Sequence, residues 1–155
     1  MGVRLDASEI DAYLAQGHTG ILTTLRRDGF PVSLPTWYVA DAGRVYLNTP
    51  SKAKKLARLR HDSRASFLVE SGLAWAELEA VMLYGRVHEV ADESLRARID
   101  GLIKEKYRAF RTQRARQPDA TRRHYSSGVM LCFEAEGDPI SWNNAKLRMA
   151  SDVDR

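Results

Sequence analysis

The stretch best equipped for chemistry is Asn48 to Glu70, NTPSKAKKLARLRHDSRASFLVE. Thr49 and Ser51 offer hydroxyls, Lys52, Lys54 and Lys55 offer ammonium groups, and Arg58 and Arg60 continue the charge. Leu56 and Leu59 add an apolar stripe, so the stretch reads as a strand end, a cationic turn, a short helix and a second strand. A helix N-terminus exposes unpaired N–H groups and a partial positive charge, and phosphate settles there. Hydroxyls and ammonium groups alongside suit a phosphate monoester. A solvated basic helix face has the same composition, and the residues alone leave both readings open.

Other reactive side chains are sparse. The single Cys132 lies in the apolar run GVMLCFEAE. It excludes an internal disulfide and a cysteine metal cluster, and it reads as a buried, inert thiol. His18, His61, His88 and His124 are scattered without metal-ligand spacing, so they read as structural or surface groups and no metal site is expected. Tyr38 and Tyr84 could donate protons in a pocket, but ordinary burial accounts for both.

These residues need elements to hold them. Asp6-Ala-Ser-Glu9 is a capping-box pattern, with Ile10, Tyr13 and Leu14 at helical spacing and Gln16-Gly17 as the stop. GILTTLRRDGFPVSLPTWYV is two apolar runs joined by an Asp28-Gly29 turn. Pro31 and Pro35 lack donor N–H groups, which predicts an edge, a bulge or a strand that serves a ligand. Asp41-Ala-Gly43 turns the chain into Arg44–Asn48, and a strand is expected over Ala65–Val69 after the basic helix. Leu78–Val90 reads as a long strand, with Gly85 marking a bend or a close backbone approach. Asp92 caps a helix whose apolar face holds Leu95, Ile99, Leu102, Ile103, Tyr107 and Phe110. Arg111–Arg123 reads as a cationic loop. Val129–Ala135 and Ile140–Trp142 are the last strands, around a Gly137-Asp138-Pro139 turn. Hairpins outnumber helices and strict strand–helix alternation is missing. That predicts a mainly β chain, an antiparallel barrel of six or seven strands with helices over its ends, rather than a doubly wound sheet.

Composition agrees. The 155 residues carry 44% hydrophobic and 28% charged side chains, with a net charge of +4, and read as a single domain with no repeats or linkers. A modestly basic balance suits an anionic small ligand. Nucleic-acid binding is not expected, because the basic stretch lacks interleaved aromatics and no recognition helix stands out. No secretory leader is expected at Met1–Asp6 and no run is apolar enough for a membrane span, which predicts a cytoplasmic location.

Four blocks together resemble the pyridoxamine 5′-phosphate oxidase-like split-barrel family, whose members bind FMN or the deazaflavin coenzyme F-420. They are GILTTLRRDGFPVSLPTWYV, GRVYLNTPSKAKKLARLRHDSRASFLVES, ELEAVMLYGRVHEV and ISWNNAKL, in the family's order. The resemblance implies a phosphate held by Thr49, Lys54 and Lys55, with Asn48, Ser51 and Lys52 beside them. It implies an isoalloxazine edge along the backbone of Ser33, Leu34, Pro35, Thr36 and Trp37, and a ribityl chain near Ala80. Trp142 and Lys146 match a C-terminal block that reaches the cofactor of the second subunit in a homodimer. The implied activity is hydride transfer between the cofactor and a small organic substrate. The deazaflavin is expected ahead of FMN, because Lys52, Arg58, Arg60 and the stretch 108–123 supply charge for its polyglutamate tail. The resemblance does not extend to the C-terminal Arg and His residues with which the true oxidases grip their substrate. Here that place reads Asn143-Asn144. A non-catalytic cofactor carrier is the alternative.

Overall fold

The computed structural model describes residues 3–124 and 127–147. Helix α1 (Ala7–Gln16) begins at the expected capping box. Asp6 accepts from the Glu9 N–H, and the Glu9 carboxylate accepts from the Asp6 N–H. It stops where the Gly17 N–H donates to the Tyr13 carbonyl.

The described strands are β1 (Gly20–Leu25), β2 (Pro31–Thr36), β3 (Val39–Asp41), β4 (Arg44–Pro50), β5 (Arg64–Ser71), β6 (Glu79–Glu89), β7 (Gly128–Ala135) and β8 (Ile140–Asn143). They form one antiparallel sheet in the order β2-β1-β5-β6-β7-β4-β3, with β8 paired to the first half of β6. Strands β2 and β3 stand at opposite ends of that ladder, yet only Trp37 and Tyr38 separate them in sequence. One extended segment therefore curls the sheet into a barrel, pairing first with β1 and then with β4. The closure is partial. Strand β3 pairs β4 only along Arg44–Tyr46, so among the described residues β2 and the end of β4 each keep one edge without a strand partner.

This is the split antiparallel barrel that the hairpin pattern predicts, with eight strands where six or seven were expected. The added strand comes from a break in the run expected to continue through PVSLPTWYV. At the break the backbone of Tyr38 is taken by the end of helix α3 (Glu93–Lys106) rather than by a strand. The Tyr38 N–H donates to Tyr107 Oη at 2.9 Å, and its carbonyl accepts from Tyr107 Oη at 2.8 Å and Lys106 Nζ at 3.0 Å. Both prolines fall on the edge strand β2, where a missing N–H costs nothing on the open side.

Alternation along the strands makes two cores. Leu22, Val45, Leu47, Phe67, Val81, Leu83, Leu131 and Phe133 fill the barrel, with Leu56 and Leu59 of helix α2 (Lys54–His61) plugging it. Tyr46, Met130 and Cys132, on the outer face, pack under Ile99 and Ile103 of α3. Each fully buried large side chain stabilises by roughly 1.5–3 kcal/mol. Gly85 marks a close approach: a Cβ there would lie 1.9 Å from the Glu134 carbonyl oxygen.

Two helical expectations change. Leu102 and Phe110 are 41% and 59% exposed, because Leu102 lies round the helix from the buried face and α3 ends before Phe110. The stretch expected as loop contains a short helix α4 (Asp119–His124). No helix among the described residues is long and apolar enough to cross a membrane.

Candidate functional site

Strand β4 sends Val45, Leu47 and Thr49 inward and leads through a tight turn into α2, with the Ala53 N–H donating to the Pro50 carbonyl at 3.0 Å. Thr49 is 3% exposed, and its Oγ1 is buried with no hydrogen-bond partner among the described residues. A buried hydroxyl left unpaired costs about 1–3 kcal/mol. The equally buried Thr24 of β1 differs, because its Oγ1 accepts from Arg58 Nε at 2.8 Å.

Arg58 reaches Thr24 from the α2 face that also carries Lys55, one turn earlier. Lys55 is partly buried and has no carboxylate partner among the described residues. Burial, and then the charge of Arg58, hold its ammonium below the usual lysine range. A desolvated cation without a counter-ion is costly, and an anion beside it would offset that cost. Lys52 and Lys54 are exposed, and Ser51 is turned toward β7, its Oγ 2.6 Å from Ser127 Oγ. The helix opens at Ala53, which offers no side-chain cap, so its first N–H groups are free of a side-chain competitor.

Beside this corner lies a cavity of about 1170 Å³. Thr36, Trp37, Asn48 and Thr49 line one side, Arg96, Asp100 and Ile103 of α3 another, and Arg111, Arg114 and Arg122 a third. Glu93 and Asp100 are the acidic members of the wall, and Asp100 is already paired with Lys104 at 2.5 Å. Arg122 is likewise paired with Asp119, which leaves Arg96, Arg111 and Arg114 against Glu93 and the wall net positive. Trp37 is set in its wall by stacking on Tyr107, with ring centroids 4.4 Å apart and planes 4° from parallel. The Arg111 guanidinium lies over the Trp37 ring, 6.0 Å from its centroid.

The remaining residues singled out in the sequence lie elsewhere. Leu34 faces the same way as buried Leu22, its register partner, yet is 44% exposed, because the barrel is open along β2. Pro35 is exposed, and Ser33 Oγ lies 2.8 Å from Thr23 Oγ1. Ala80 is fully buried opposite Trp142 in the β6–β8 pair. Lys146 is engaged within its own chain, with Nζ 2.5 Å from Glu9 Oε2 and 3.0 Å from the Arg4 carbonyl. Asn143 caps the turn that follows it, and Asn144 donates to the Trp75 carbonyl. Sequence reasoning missed the Arg58–Thr24 pair and the Tyr107 clamp. Their partners lie 34 and 69 residues away, and no local pattern connects them.

Fold and site define a split barrel with a polar, cationic corner between β4 and α2. A family model described as pyridoxamine 5′-phosphate oxidase matches residues 7–125, and the chain belongs to that family. Among solved structures it is similar to a conserved hypothetical protein of Mycobacterium tuberculosis, with 26% identity, a TM-score of 0.79, and 97% and 93% of the two chains covered. A FAD-binding protein of Mesorhizobium loti shares the fold at 19% identity and a TM-score of 0.67, over 86% of this chain and 91% of that one. An F-420 reductase does so at 16% identity and a TM-score of 0.61, over 82% and 93%. No curated protein matches.

Proposed function

We propose that the protein is an oxidoreductase of the flavin type that holds its cofactor by the phosphate at the β4–α2 corner, with the deazaflavin F-420 ahead of FMN. The observation that carries this reading is the unsatisfied corner itself. Among the described residues, a buried Thr49 hydroxyl near the end of β4 has no partner, and a half-buried Lys55 in the first turn of α2 has no counter-ion. A phosphate would satisfy both at once. The unpaired edge of β2 leaves backbone amides available to a planar ring, and the prolines keep a strand from covering it. Trp37, stacked on Tyr107, would limit how far that ring slides along β2.

Such a cofactor supplies hydride chemistry at N5 or the equivalent carbon. The chain's own part is to bind, orient and exclude water, and none of its side chains is assigned as an acid or base. Arg96, Arg111 and Arg114 would meet the carboxylates of a charged tail or an acidic substrate in the cavity, which is why the deazaflavin is preferred. Small F-420 and FAD proteins with this fold support the class of ligand.

The same reading makes the protein a cytoplasmic homodimer. Register aligns Pro35, Ile21, Leu68, Met82 and Ile140 in one apolar row across β2, β1, β5, β6 and β8 on the outer face. Ile140 is 47% exposed there. A partner copy docking on this row would lie beside β2 and could complete the site. Sedimentation of the chain tests it, and a monomer at micromolar concentration removes the dimer.

The deciding experiment titrates the protein with FMN and with F-420, followed by cofactor fluorescence. Binding of F-420 that weakens in Lys55→Ala supports the assignment. Failure of both cofactors to bind overturns it, and tight binding without turnover of any electron donor makes the protein a carrier.

A further inference from the structure

The cofactor reading makes no use of the far end of β6 and β7, where three side chains of metal-binding type converge. His88 of β6 and Cys132 of β7 are direct register partners, and Glu134 follows Cys132 by two residues on the same outward face. One ligand atom from each lies within 4.8 Å of the others. The geometry points to a site for a borderline-soft divalent cation of the zinc class, held by the His88 imidazole, the Cys132 sulfur and the Glu134 carboxylate.

Each donor is available in a different way. Cys132 comes from a fixed position, 2% exposed, beneath α3 and beside Tyr46. His88 is exposed, and its ring has no hydrogen-bond partner among the described residues. Glu134 spends Oε1 on Arg44 at 2.7 Å, which leaves Oε2 for a metal. Tetrahedral zinc has ligand bonds of about 2.0–2.3 Å, so its ligand atoms stand about 3–4 Å apart. Rotation of the two exposed side chains closes the remaining gap while the strands stay in register. A sulfur–imidazole–carboxylate set disfavours magnesium and calcium, which take oxygen ligands, and leaves a fourth position to water. The ion would tie β7 to β6 at the end of the barrel away from β8.

The test uses the whole chain, stripped with a chelator and titrated with Co2+ as a spectroscopic stand-in for Zn2+, without flavin or deazaflavin. The expected result is a sulfur-to-cobalt charge-transfer band with tetrahedral visible bands, saturating at one ion per chain and bleached by Zn2+. Cys132→Ser should remove the charge-transfer band. His88→Gln and Glu134→Gln change surface side chains only, and each should weaken binding about tenfold or more. If the wild-type chain gives no sulfur-to-cobalt band, the site does not exist. If His88→Gln and Glu134→Gln both bind as the wild type does, the metal sits elsewhere and the assignment falls. Neither result bears on cofactor binding at the β4–α2 corner.

Discussion

Two places where the barrel departs from regular pairing are built in opposite ways. At the Trp37–Tyr38 break, every polar group of Tyr38 has a partner: its N–H and carbonyl meet Tyr107 and Lys106, and its hydroxyl donates to the Leu14 carbonyl at 2.6 Å. At the β4–α2 corner, Thr49 Oγ1 has no partner and Lys55 has no counter-ion among the described residues. The first irregularity is structural, because the fold needs it to bend one segment between the two ends of the sheet. The second carries a free-energy cost that nothing among the described residues offsets, and the proposed cofactor phosphate would offset it.

Substitutions at the two places should separate stability from binding. Tyr107→Ala removes a fully buried ring and the clamp on Tyr38, and should cost about 3–5 kcal/mol of stability in urea unfolding. A loss below about 1 kcal/mol would mean the break does not need its clamp. Lys55→Ala should leave unfolding unchanged or slightly harder, yet weaken cofactor binding by about 1.5–3 kcal/mol. If the dissociation constant does not move, the phosphate is not at this corner. Thr49→Val keeps the shape and removes the orphaned hydroxyl. It should raise the stability of the ligand-free protein by up to about 1 kcal/mol and weaken binding by a similar amount. A stability loss there would show that the hydroxyl is satisfied in the ligand-free chain, and the contrast between the two places would fade.

The clamp also predicts a pH slope. Burial pulls Lys106 from its ordinary 10.5 down to about 8. The unfolded chain then binds more protons between those values, so this group makes stability rise with pH from about 8 to 10.5. Below pH 8 both states carry the proton and its cost is constant. Lys106→Met should flatten the slope, and an unchanged slope would assign it to other groups.

The hairpins were legible because turn chemistry and alternation are local. Asp28-Gly29 marks a turn in which Gly29 has a φ of +81°, and the period-two pattern of β1 reappears as alternate burial. The cationic turn was legible for the same reason, since Thr49, Lys54 and Lys55 lie within seven residues. Charge and spacing could not tell Lys55 from Lys52 and Lys54. Only burial against the barrel separates them, and burial depends on strands that the local sequence does not contain. The split of one expected strand into β2 and β3 was likewise invisible, because the groups that hold it open belong to the end of α3. Local sequence therefore determined which elements form, their turns and where positive charge gathers, since those rest on neighbouring residues. Which hydroxyl stays unpaired, which lysine loses its water and which His meets the one Cys were decided by register and packing, because those bring together groups far apart along the chain.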